Sequence, residues 1–179
     1  MREVLIVAGE ASGDLHAAAF ASALRRTRPD LALIGVGGTA MERAGMQLLE
    51  RTDTLAVMGF AEVLRRVPHH YRLLKALGAR LNGGNIALVV LIDYPGFNMR
   101  LARAARGARV PVLYYITPQV WAWGANRLPR LAQLITKAAV ILPFEAQLLR
   151  GAGVDATFVG HPLLDQAAEL PERARARST

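Results

Sequence analysis

The chain has 179 residues, enough for one domain that buries roughly 70% of its unfolded surface. With 53% apolar residues it is too hydrophobic to remain disordered, and with no cysteine it can hold neither disulfides nor thiolate metal sites. Lys and Arg outnumber Asp and Glu by 22 to 14, which suits an anionic partner (nucleic acid, anionic lipid or a phosphorylated substrate) without choosing among them. The N-terminal apolar run is too short for a signal-peptide core, and none approaches a membrane-spanning helix, so a soluble, cytoplasmic protein is expected.

In chain order, EVLIVAG (3–9) reads as a strand and residues 12–28 as a helix that Pro29 closes, with Ser12 as its N-cap. LALIGVG (31–37) is a second strand, followed by a short helix near 39–45. Residues 60–82 are helical, and Pro68 is expected to cut them into two short pieces. IALVVLI (86–92) is a strand, 97–107 a helix, VPVLYYI (110–116) a strand and 126–136 a helix. AAVILPF (138–144) is a strand, 145–151 a helix and ATFVG (156–160) a last short strand. Apolar runs without polar alternation, separated by helices, indicate strands covered on both faces. The expected fold is α/β, a doubly wound, Rossmann-like parallel sheet over residues 1–165, with 166–179 a linker-like or disordered tail.

In such sheets ligands bind beyond the carboxyl ends of the strands. GEASGD (Gly9 to Asp14) turns the first strand into the first helix, with Gly13 permitting close approach of a ligand. It is neither a dinucleotide fingerprint nor a P-loop. The alternative is a well-capped turn in which Asp14 complements the dipole of its own helix. Asp93 ends the buried run LVVLI, where partial desolvation raises a carboxylate's pKa toward that of a useful general base. Alternatively it makes an Asx turn or caps the following helix. Asn98 either binds substrate or holds that loop. Two tryptophans, Trp121 and Trp123, and Gln119 follow another strand, where indoles suit sugar rings or acyl chains and equally suit packing. His161, in GHP, faces a ligand or makes a turn. The histidines lack metal-ligand spacing, so no metal is expected.

Residues 60–80 place apolar side chains at helical spacing and carry five Lys/Arg against one Glu. They form either a surface helix with its stripe in the core or a helix lying on an anionic membrane. No helix-turn-helix, RRM or KH pattern points to nucleic acid.

VAGEASGD, LAVMGFAEVL (55–64), IDYPGFN, ITPQVWAW, LPFE (142–145) and GHPLLD (160–165) stand in the order and spacing of one family. From residue 3 to about 166 the chain resembles the N-terminal half of the lipid-A-disaccharide synthases. The resemblance implies one half of a GT-B glycosyltransferase of lipid A biosynthesis. That enzyme joins UDP-2,3-diacylglucosamine to 2,3-diacylglucosamine 1-phosphate through a β-1,6 bond and releases UDP without a metal or cofactor. It implies that Asp93 is the base for the acceptor 6-hydroxyl. Ser12, Gly13, Asn98 and Gln119 then fall on the acceptor side, with Glu10, Trp121 and His161 completing the substrate-binding set. The helix at 60–77 would dock on the inner face of the cytoplasmic membrane of a Gram-negative bacterium through Phe60, Arg65, Arg66, Tyr71, Arg72, Leu74 and Lys75. Val63 and Val67 would turn inward. The family is about twice this length and usually carries a basic residue where this chain has Gly124. The implied partners are a complementary C-terminal half or a second copy of the chain. The alternative is a non-catalytic α/β module binding anionic lipid or a phosphorylated ligand.

Overall fold

The computed structural model describes residues 1–52, 60–119 and 128–164, with only the backbone described for 60–66. The strands are β1 (Glu3–Ala8), β2 (Ala32–Gly37), β3 (Gln47–Arg51), β4 (Ile86–Ile92), β5 (Val112–Tyr115), β6 (Lys137–Val140) and β7 (Ala156–Phe158). They pair in parallel, in the order β3-β2-β1-β4-β5-β6-β7. The helices are α1 (Ala11–Thr27), α2 (Thr39–Arg43), α3 (Phe60–Asn82), α4 (Pro95–Gly107), α5 (Leu128–Leu134) and α6 (Pro143–Gly151). This is the expected doubly wound, Rossmann-like sheet.

Alternate side chains of each strand enter opposite cores, as the period of two requires. Val4, Ile6 and Ala8 of β1 pack with Ala17 and Ala21 of α1 and Met41 of α2 on one face. Leu5 and Val7 belong to the other face, with Leu73, Leu77 and Leu81 of α3, Leu101 of α4, Leu131 of α5 and Leu149 of α6. The strand order reverses direction between β1 and β4, whose register pairs Ala8 with Ile92. The loops that begin at Gly9 and Asp93 therefore leave the sheet side by side at its switch point, where such sheets bind ligands.

Several elements differ from expectation, each for a local reason. Strand β3 was not anticipated: QLLER at the sheet edge is nowhere fully buried, so it lacks the apolar run that marks the central strands. The strand expected at 138–144 stops at Val140, because Pro143 stands in the first turn of α6. Pro68 does not cut α3, which runs unbroken past it. A proline removes one helical hydrogen bond, and the buried row Leu73, Leu77 and Leu81 holds the following turns against the sheet. The expected tail, 166–179, lies outside the described residues.

Candidate active site

Asp93 sits where β4 ends. Its N–H still bonds the Ile116 carbonyl at 3.2 Å, extending the ladder one residue past the strand. The backbone then enters the left-handed region twice, with φ of 44° at Asp93 and 48° at Tyr94. Such geometry costs on the order of 1–3 kcal/mol per non-glycine residue and persists only where the surroundings impose it. Here they do. The Asp93 carbonyl accepts from the Tyr114 hydroxyl at 2.6 Å and from Asn98 Nδ2 at 2.8 Å. Nδ2 also donates to the Ile92 carbonyl at 3.2 Å.

These bonds settle two open alternatives. Asn98 is wholly buried and its amide nitrogen clamps the loop, one of the two roles expected for it, while its Oδ1 has no partner among the described residues. Asp93 does not cap α4: Tyr94 holds the N-cap position, with no side-chain cap bond, and Pro95 follows. Among the described residues no cation or donor is paired with the Asp93 carboxylate. Burial, with the nearby Asp93 charge second, pushes the Tyr114 phenol far above its ordinary range, so it stays a hydrogen-bond donor. Tyr114 carried no functional signal in the sequence, because it reads as one more apolar strand position.

Asp93 borders a cavity of about 250 Å³ that Thr117, Gln119 and Glu145 also line, with Ile116 and Ile141 as apolar walls. Gln119 thus lines the same cavity as Asp93. Glu145, in the first turn of α6 and only 3% exposed, was missed as a site residue although its LPFE segment was noticed. A complete small-molecule site is usually about 300–1,000 Å³, so this one has the size of part of a cleft.

The GEASGD loop leaves the sheet beside Asp93 at the switch point, and none of its residues lines this cavity. Glu10 is the N-cap residue of α1 and makes no side-chain cap bond; Ser12 lies inside the helix and is no cap. Both are exposed and free to meet a ligand. Gly13 is buried, and a Cβ there would meet Ala8 Cβ at 3.3 Å, so its small size serves the packing of α1 on β1. Asp14 serves the neighbouring helix instead of its own. Its carboxylate accepts from the N–H groups of Gly38, Ala40 and Met41 at 2.7, 2.9 and 3.1 Å, capping α2. His161 is half-buried, and its Nδ1 accepts from the Leu163 N–H at 3.2 Å. Burial and, second, the His161 charge lower the pKa of His16 in α1, whose Nδ1 has no partner among the described residues.

The profile of the lipid-A-disaccharide synthetase family matches residues 4–179. The chain belongs to that family. It is 45% identical to the lipid-A-disaccharide synthase of Syntrophotalea carbinolica over 173 residues, 96% of this chain and 44% of that protein. It is 47% identical to that of Syntrophus aciditrophicus over 162 residues, 90% of this chain and 42% of that protein. The chain thus spans under half the length of these relatives. Among solved structures, UDP-GlcNAc 2-epimerase from Neisseria meningitidis superposes with a TM-score of 0.65 at 13% identity, covering 98% of this chain and 52% of that one. At that identity the likeness is one of fold alone.

The α3 face differs from expectation in two respects. Val67 does not turn inward: it is 54% exposed, beside Tyr71 at 68%. Leu73 and Leu77 take the inward places, and Leu74, expected at a lipid surface, packs partly against the same core. A stripe drawn from Val63 through Val67 is rotated from the buried row, since Val67 to Leu73 spans six residues, about 240° on the wheel. Arg72 and Lys75 are exposed. The side chains of Phe60, Val63, Arg65 and Arg66, and all of Trp121, Trp123 and Gly124, lie outside the described residues.

Proposed function

We propose that this chain is the acceptor-side half of a lipid-A-disaccharide synthase, residues 1–165 forming the folded unit and 166–179 a linker-like tail. The reaction is hexosyl transfer from UDP-2,3-diacylglucosamine to the 6-hydroxyl of 2,3-diacylglucosamine 1-phosphate. Asp93 takes the hydroxyl proton as the oxygen attacks the sugar's anomeric carbon. The bond to the nucleotide breaks, and UDP leaves with the electron pair. The observation that carries this reading is the placement of Asp93 itself. It is held at the rim of the switch point by a strained, clamped loop, it borders the cavity, and no capping bond occupies it. Gln119, Glu10, Ser12 and His161 are the candidate hydroxyl and phosphate contacts, and Trp121 a candidate stacking surface. The remaining contacts come from a complementary half or a second copy of the chain.

Membrane docking through α3 belongs to the same reading. It is supported by exposed Val67 and Tyr71 beside Arg72 and Lys75. From Val67 to Asn82, and throughout α4 and α5, the sequence has no Asp or Glu. No described helix is long and apolar enough to cross a membrane. A peripheral position on the inner face of the cytoplasmic membrane fits two acylated substrates.

Asp93→Asn in the assembled enzyme, this chain together with the rest of the family's length, is expected to fold normally and lose roughly 10²–10⁴ in kcat. Near-normal turnover by a folded Asp93→Asn enzyme removes the base role.

A further inference from the structure

We propose that His70 is a positioning residue for Asp93, acting through the Tyr94 hydroxyl; this rests on the reading of Asp93 as the base. The two bonds on the Asp93 carbonyl fix one end of the strained turn. The other end is Tyr94, a bulky residue in the left-handed region, where such residues are rare and must be held. Three neighbours hold it. Its ring covers Gly9, where a Cβ would come within 2.2 Å of Cγ, so only glycine leaves room for it. Its ring stacks on Phe97 of α4 with centroids 5.8 Å apart. Its hydroxyl lies 2.6 Å from His70 Nε2 on α3, whose ring also meets the Phe97 edge at 6.1 Å.

The first two contacts are apolar and let the ring slide or tilt. The hydrogen bond is directional and fixes where the ring stops. Because Tyr94 follows Asp93 directly, the position of the ring sets the peptide plane between them and so the direction of the carboxylate. Burial, with the Glu10 charge second, raises the Tyr94 phenol's pKa, which keeps its proton available for the shared bond. The same contact ties the loop to α3 one residue from Tyr71, an exposed aromatic of its outer face.

Steady-state kinetics on the assembled enzyme tests this with His70→Leu, Tyr94→Phe, the double variant and His70→Gln. Each single loss of the bond is expected to lower kcat by about 10- to 100-fold, with KM for both substrates nearly unchanged, as a small misplacement of a catalytic group does. The double variant should be no worse than either single, since one bond is removed twice. His70→Gln, which can still bond the hydroxyl, should recover most of the rate. Unchanged kcat in either single variant, additive losses, or a loss that tracks melting temperature without rescue by Gln overturns the proposal. The chain alone provides a second readout: the Asp93 and Tyr94 amide resonances should move in His70→Leu and return in His70→Gln. If the wild-type assembly turned over no substrate, the functional reading would fall, while unmoved amide resonances would separately overturn the role of His70.

Discussion

Asp14 and Asn98 show how polar residues in motif loops divide between fold and chemistry. Both sit in conspicuous segments, and both are buried and used by backbone groups: Asp14 caps the neighbouring helix α2, and Asn98 clamps the Ile92 and Asp93 carbonyls. Sequence spacing identified the loops and could not say which side chains turn inward, because an Asp or Asn is equally suited to capping and to catalysis. Asp93 is the residue that this division leaves at the rim. His16 provides a test at the same scale. Burial, and then the nearby His161 charge, lower its folded pKa below its ordinary value of 6.5. The unfolded chain therefore takes up the proton more readily, so the contribution of neutral His16 is present above pH 6.5 and is lost as the pH falls below it. Urea unfolding of the chain from pH 7.5 to 5.5 should show wild type losing stability faster than His16→Gln; parallel curves would contradict that burial.

At the scale of elements, the central strands were legible because they are unbroken apolar runs, and their order followed from the helices between them. Edge strand β3 was not, since its mixed composition carries no such run. The α3 stripe was legible as amphipathic and misjudged in phase, because Val67 and Leu73 are equally apolar and only packing decides which is covered. The same packing explains why Pro68 interrupts nothing: the helix tolerates a local cost that tertiary contacts outweigh. Pro68→Ala should therefore stabilise the chain, by up to about 3 kcal/mol if the restored hydrogen bond is fully formed. A fall in the urea midpoint would mean that the proline's fixed φ is needed for the course of α3.

At the scale of the whole molecule, the excess positive charge is unevenly placed. The α3–α4–α5 side exposes Arg72, Lys75, Arg100, Arg103, Arg106 and Arg130, with no acidic residue on those helices from Val67 onward. Composition alone gave the sign of the excess charge and not its location, which needs the helices assembled on one face of the sheet. Anionic vesicles should bind the chain at low salt. Reversing Arg72 and Lys75 should weaken binding by about 1 kcal/mol or more per charge, and high salt should erode it. Binding indifferent to both changes contradicts docking through this face. Under the proposed function the chain supplies the acceptor side and the base of a transferase, and the rest of the family's length supplies the remaining contacts. The direct measurement is formation of the disaccharide from UDP-2,3-diacylglucosamine and 2,3-diacylglucosamine 1-phosphate, with the chain alone and with the remainder of the family's length added. Turnover should appear only in the combination. Turnover by the chain alone, or none in a folded combination, would contradict the account.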